Sequence, residues 1–207
     1  MEIWKTFAIG HFSLGYLLGT ASAKITHTNT NLALLFTFSV LPDADLLLYK
    51  YLEHRGPTHS LFFSLLIFLP IFVVYRKKAI PYFVALLSHS FIGDIYSHIA
   101  GVQLFWPLST NWFSIADVSN LSFLSIGFEL SLFAISTTIM LLNKEFQRKI
   151  FQETQIIYWL VPFGSVLGPI IIAETTSAIY FPPLLILPSI FYLIVFSMSI
   201  IGLKRRG

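Results

Sequence analysis

An all-α, polytopic transmembrane helix bundle of about seven spans (five to seven) is the fold the sequence predicts, and three observations predict it. Of the 207 residues, 56% are hydrophobic and only 11% are charged, with a mean hydropathy of +0.76. Soluble domains carry about 25% charged residues, so a water-soluble globule of this size could not cover its surface with what this chain supplies. The apolar stretches show no period-2 alternation, which argues against a barrel and for helices. Lysine and arginine, finally, gather in loops that fall on one side if every stretch spans.

A helix needs ~20 mostly apolar residues to cross a ~30 Å hydrocarbon core. Taken in order, the expected spans are 7–23, 31–49, 59–75, 79–98, about 119–142, 156–174 and 181–203. The first resembles a signal peptide, with Lys5 before the apolar run and Ala21-Ser22-Ala23 after it. Gly10, His11, Gly15 and Gly19 dilute that run, so it is expected to stay in the protein. Lys24, the Arg76-Lys77-Lys78 loop, the Lys144/Arg148/Lys149 loop and the Lys204-Arg205-Arg206 tail hold ten of the thirteen basic residues. Put inside, they orient the chain N-outside and C-inside and leave Lys5, Lys50 and Arg55 outside. Residues 1–110 are expected to carry four helices, an outer aromatic loop and the functional site. Residues 111–207 are expected to add three packing spans to the same membrane domain. In the loop, Phe105, Trp106, Trp112 and Phe113 suit a headgroup region or a lid over a substrate.

Ionisable side chains inside membrane segments are costly and mark functional sites. Here His11, Asp43, Asp45, His54, Arg55, His59, His89, Asp94 and His98 fall within four successive segments, all toward the outer half in the expected topology. With no cysteine, thiolate sites and disulfides are excluded. Histidine with carboxylate suits zinc, manganese or iron, and zinc is favoured where imidazoles dominate. One divalent ion or a pair fits the count. Each residue also has a plainer role. His11 could bond between helices, Asp43 could cap a turn after Pro42, and the stretch 54–60 could be an interfacial turn. Asp43 and Asp45, two apart, point to nearly opposite sides of a regular helix, so both reach one site only if the helix breaks at Pro42. Their coincidence at one depth on one side favours a metal site.

These residues resemble the YdjM-like family of membrane-bound, metal-dependent hydrolases, also described as LexA-regulated inner membrane hydrolases. The resemblance rests on Gly10-His11 with Gly15, on Leu41-Pro42-Asp43-Ala44-Asp45, and on His54-Arg55-Gly56-Pro57-Thr58-His59-Ser60. Ser88-His89 with Gly93-Asp94 and the stretch from Gly101 to Pro107 complete it, over about the first 110 residues. The most specific element is the His-Arg-Gly-x-Thr-His-Ser run. The chain departs from the pattern at Leu46, where the family usually has histidine, and in the five-residue spacing of His89 and Asp94, where the family commonly has four. Five residues of regular helix turn side chains ~140° apart, so a helical bulge is needed for convergence, unless Asp94 pairs with His98.

The resemblance implies a membrane-bound hydrolase. His11, Asp43, His54, His59, His89 and Asp94 are the expected metal ligands. Asp45 is a ligand or the base that takes a proton from water, and Arg55 clamps an anionic oxygen. Thr58 or Ser60 would orient ligand imidazoles. The expected cofactor is a divalent metal, zinc before manganese. The expected partners are membrane lipids and a lipid-like substrate bearing a phosphoester or similar bond, reached at the outer face; no nucleic acid is expected. A metal-ion transporter or a structural membrane protein is the competing reading. Glu129, inside the fifth span, is assigned to helix packing.

Overall fold

The computed structural model describes residues 8–48, 51–97, 101–115, 123–143 and 182–201. The expected span at 156–174, His98, and the basic residues at 144–149 and 204–206 lie outside them. Among the described residues the chain is helical, and its one strand-like contact is an isolated bridge between Val102 and Phe113.

The central helix is α1 (Ala8–Ile25), which buries Ile9, Phe12 and Tyr16 almost completely and packs against α2, α4 and α6. Helix α2 (Leu32–Val40) starts at Asn31, whose side chain accepts the Leu34 N–H at 3.1 Å. It stops at the Leu41-Pro42 step and continues as a 3-10 helix, Leu41–Leu48. Helix α3 (Leu61–Tyr75) is capped by Ser60, whose hydroxyl accepts the Phe63 N–H at 3.1 Å. A 3-10 turn, Arg76–Ala79, leads into α4 (Ile80–Ser88). That helix widens into a π-helix, His89–Asp94, and ends in the short α5 (Ile95–Ser97). Helix α6 (Phe123–Leu142) and α7 (Ile186–Ile201) complete the described residues.

Helices α1, α2 and α7 share one apolar core, in which the Phe12, Phe36 and Tyr192 rings meet with centroids 5.2–5.5 Å apart. The outer helices are turned the other way. Leu66, Leu69, Val73 and Val74 of α3 are more than half exposed, as are Leu124 of α6 and Leu187 of α7. Apolar area facing water is unfavourable by ~25 cal/mol per Å², and contiguous exposed apolar surface marks a partner or a membrane.

Seven spans and their orientation are not what this fold establishes. Among the described residues, α6 is the one helix long and apolar enough to cross a bilayer, and Pro183–Ser199 is a shorter apolar stretch. The reason lies in the expected second and fourth spans. Each leaves α-helical geometry after nine residues, for a 3-10 helix at Leu41 and a π-helix at His89. Asp43 and Asp45 sit at the first of those transitions, and His89 and Asp94 at the second.

Candidate metal centre

Two irregular helices and one loop bring the polar residues together. A 3-10 helix advances three residues per turn, so Asp43 and Asp45 are separated by ~120° rather than the ~160° of an α-helix. They flank the His59 ring from two sides. Asp43 Oδ1 lies 3.5 Å from His59 Nε2, and Asp45 Oδ2 lies 3.3 Å from Nδ1. The π-helix closes its bonds every fifth residue, as Ile95 N–H to Ser90 carbonyl. It therefore returns residues five apart to nearly the same face, and His89 Nε2 stands 3.2 Å from Asp94 Oδ2.

Hydrogen bonding fixes where the imidazole protons are. Thr58 donates its single hydroxyl proton to Asp45 Oδ2 at 2.7 Å. Its oxygen, 3.0 Å from His59 Nδ1, can then only accept, so Nδ1 carries a proton, and in the neutral ring Nε2 presents the lone pair. His89 Nδ1 lies 2.7 Å from the carbonyl oxygen of Ser39, which also only accepts, so in the neutral ring His89 Nε2 is bare as well. That carbonyl is open to a side chain because a 3-10 register would pair it with the N–H of position 42, which Pro42 lacks. The two bare nitrogens face each other at 3.1 Å. Asp43 Oδ1 is 3.3 Å from His89 Nε2, and Asp94 Oδ2 is 3.2 Å from both nitrogens.

The other expected site residues surround this cluster. The His11 ring stacks on His89 with centroids 3.7 Å apart and places Nε2 3.7 Å from Asp94 Oδ1. It lies so close to the π-helix that a Cβ on Gly93 would fall 2.5 Å from the ring, so only glycine fits there. Neither His11 nitrogen has a hydrogen-bond partner. Arg55 is 1% exposed, holds a positive φ of 66° and brings Nη2 to 3.2 Å from Asp94 Oδ1. Its backbone N–H donates to Asp45 Oδ2 and its carbonyl accepts from Gln103 N–H, which docks the aromatic loop on the site. Burial pushes the Arg55 guanidinium below its ordinary value, while the carboxylates of Asp94, Asp43 and Asp45 oppose that shift. His54 sits at the rim, partly exposed, with Nδ1 2.9 Å from Asp45 Oδ1. It thus joins Asp45 and the Nδ1 edge of His59. Asp45 turns both oxygens to neighbouring side chains and backbone, and Ser60 caps α3 instead of touching an imidazole.

Three overlapping sets of side chains could hold a cation: His11 with His89 and Asp94; Asp43 with His59 and His89; Asp45 with His54 and His59. His59 Nε2 and His89 Nε2 stand 3.1 Å apart, and Asp43 Oδ1 and Asp94 Oδ2 each lie 3.2–3.5 Å from both nitrogens, spacings close to the ~3.3–3.4 Å between ligand atoms of a tetrahedral ion with bonds of ~2.0–2.1 Å. Asp43 Oδ1 is buried without a hydrogen-bond partner, as expected of an atom reserved for a cation.

Helices with apolar outer faces around a buried histidine–carboxylate cluster define the class: a helical membrane protein with an internal polar site. The chain belongs to the family described as YdjM inner membrane protein, which it matches over residues 7–199. The match reaches well past the first 110 residues that carry the motifs and takes in α6 and α7. No curated protein and no solved structure matches the chain.

Two participants escaped sequence reasoning. The Ser39 carbonyl is a backbone atom, and no side-chain pattern announces it; Pro42 three residues on was the available signal. Glu129, assigned to packing, reaches α1, where its carboxylate accepts the Gly10 N–H at 2.6 Å.

Proposed function

We propose that the protein is a multi-pass, membrane-bound, metal-dependent hydrolase acting on a lipid-like substrate at a phosphoester or similar bond. One observation carries the reading: the Nε2 atoms of two imidazoles, 3.1 Å apart, each lie 3.2–3.5 Å from oxygens of Asp43 and Asp94, while their Nδ1 atoms are hydrogen-bonded away from the cluster. Charge supports it. With the imidazoles neutral, Asp43, Asp45 and Asp94 stand buried against the guanidinium of Arg55, which leaves two negative charges that one divalent cation cancels. Buried charge left unbalanced is costly.

Asp43, His59, His89 and Asp94 hold the ion, zinc in preference to manganese, and His11 supports the set from the outer oxygen of Asp94. When bound, such an ion makes hydroxide available near neutral pH and withdraws charge from the bond under attack. Asp45, occupied on both oxygens, fixes the tautomer and orientation of His59 in the carboxylate–histidine manner of metal sites and ties His54 to the rim. Arg55 spends one ion pair on Asp94, and its Nε and Nη1 have no hydrogen-bond partner. Those donors suit the oxyanion of a phosphate or carboxylate. The loop of residues 101–115, with Leu108 94% exposed beside Phe105 and Trp112, supports an amphiphilic substrate. The basic loops support the seven-span, N-outside topology, with the centre toward the outer face.

The test is elemental analysis of detergent-purified protein followed by an assay on phospholipid vesicles. Near-stoichiometric zinc or manganese and chelator-sensitive release of product support the hydrolase. Metal flux across the vesicle without cleavage identifies a carrier instead, and pure native protein that retains no metal overturns the reading.

A further inference from the structure

Glu129 is the one charged residue among the described residues of α6 and α7, and it is buried. Its carboxylate does not pair with a basic side chain in the described contacts; it takes the backbone N–H of Gly10 at 2.6 Å. The fit is tight: a Cβ at position 10 would lie 2.6 Å from Oε1 and 2.7 Å from Oε2. One residue further on stands His11. Its ring nitrogens make no hydrogen bond, so hydrogen bonding does not orient it. The ring is placed by stacking on His89, by the flat backbone at Gly93 and by the position of its own backbone. That backbone is what Glu129 grips, from a helix 119 residues away in sequence.

We propose that Glu129 is a positioning residue for the metal centre: through Gly10 it sets the depth and rotation of α1, and so holds His11 against His89 and Asp94. What matters is a hydrogen-bond acceptor of the right reach, not the charge. The proposal rests on the reading that the centre binds a metal, and it deepens that reading by adding a residue from the second half of the chain.

The experiment titrates Co²⁺ into the metal-free, full-length protein in detergent and follows both affinity and the visible absorption bands, which report the arrangement of the ligands. Glu129→Gln keeps the reach and removes the charge, whereas Glu129→Asp keeps the charge and shortens the side chain by one methylene. Thermal unfolding of each variant separates a misplaced ligand from a loosened bundle. The expected result is wild-type bands and affinity within about twofold for Glu129→Gln, against shifted bands and about tenfold weaker binding for Glu129→Asp, the loss typical of an outer-shell partner. A Glu129→Asp protein with wild-type bands and affinity overturns the proposal, and so does a Glu129→Gln protein as impaired as Glu129→Asp. Wild-type protein that takes up no cobalt overturns the metal reading itself, and this proposal with it.

Discussion

Two buried polar clusters among the described residues differ in the accounting of their protons. Ser13, Ser136 and Tyr192 bring three hydroxyls together from α1, α6 and α7, with Tyr192 Oη 2.7 Å from Ser13 and 2.6 Å from Ser136. Ser13 donates to the Ile9 carbonyl, Ser136 has the Phe133 carbonyl as an acceptor and Tyr192 has either serine oxygen, so every proton has an acceptor within reach. Such a cluster is complete as it stands and serves to dock helices. The His59–His89–Asp43–Asp94 cluster is the opposite case. Its ring protons are committed outward, to Thr58 and Asp45 on one side and Ser39 on the other, and its lone pairs face inward. A buried polar group is therefore no guide to function by its presence alone. What distinguishes glue from a site is whether the hydrogen bonds close.

The strongest way to break this contrast is His59→Ala or Asp43→Ala. Each removes an atom of the proposed inner ligand set and is expected to lower metal affinity by more than about 100-fold, beyond the 10–100-fold range of outer-shell partners. Elemental analysis after gel filtration measures it; retained metal in both variants would dissolve the distinction. Asp45→Asn comes next. It keeps the size of the side chain but weakens the hold on His59 Nδ1, and about 10–100-fold weaker binding is expected by competition titration. Thr58→Val removes the hydroxyl whose acceptor role sets the His59 tautomer, with an expected loss of about tenfold. The smallest effect belongs to the other cluster. Tyr192→Phe deletes the shared hydroxyl and should cost about 1 kcal/mol of stability, the scale of interhelical hydrogen bonds in membranes, with metal content unchanged. Metal loss in Tyr192→Phe at full folding would show that the clusters are not separate.

The residues of both clusters were not equally legible. The motif residues from His11 to Asp94 stand out because charged and imidazole side chains are rare in apolar segments. The break at Pro42 and the irregular turn after His89 follow from the spacing of their side chains, since neither pair can converge on a regular α-helix. Ser13, Ser136 and Tyr192 are ordinary residues of apolar helices, and nothing in their spacing joins them. Glu129 was visible as an anomaly without a partner, because its partner is a backbone amide of a glycine.

By itself the amino-acid order determined the helical class, the membrane character and the kinds of atom available to a metal. These follow from composition and from local geometry: too few charges for a water-facing surface, a proline without an N–H, imidazole and carboxylate without thiol. Tertiary structure decided which nitrogen of His59 and of His89 faces the cluster, that Asp45 stands behind His59, and that α6 grips α1 at Gly10. Those outcomes depend on contacts such as His89 with the Ser39 carbonyl, 50 residues apart, and Glu129 with Gly10, 119 apart. A ring proton goes where an acceptor waits, and the acceptor is brought there only when the chain folds.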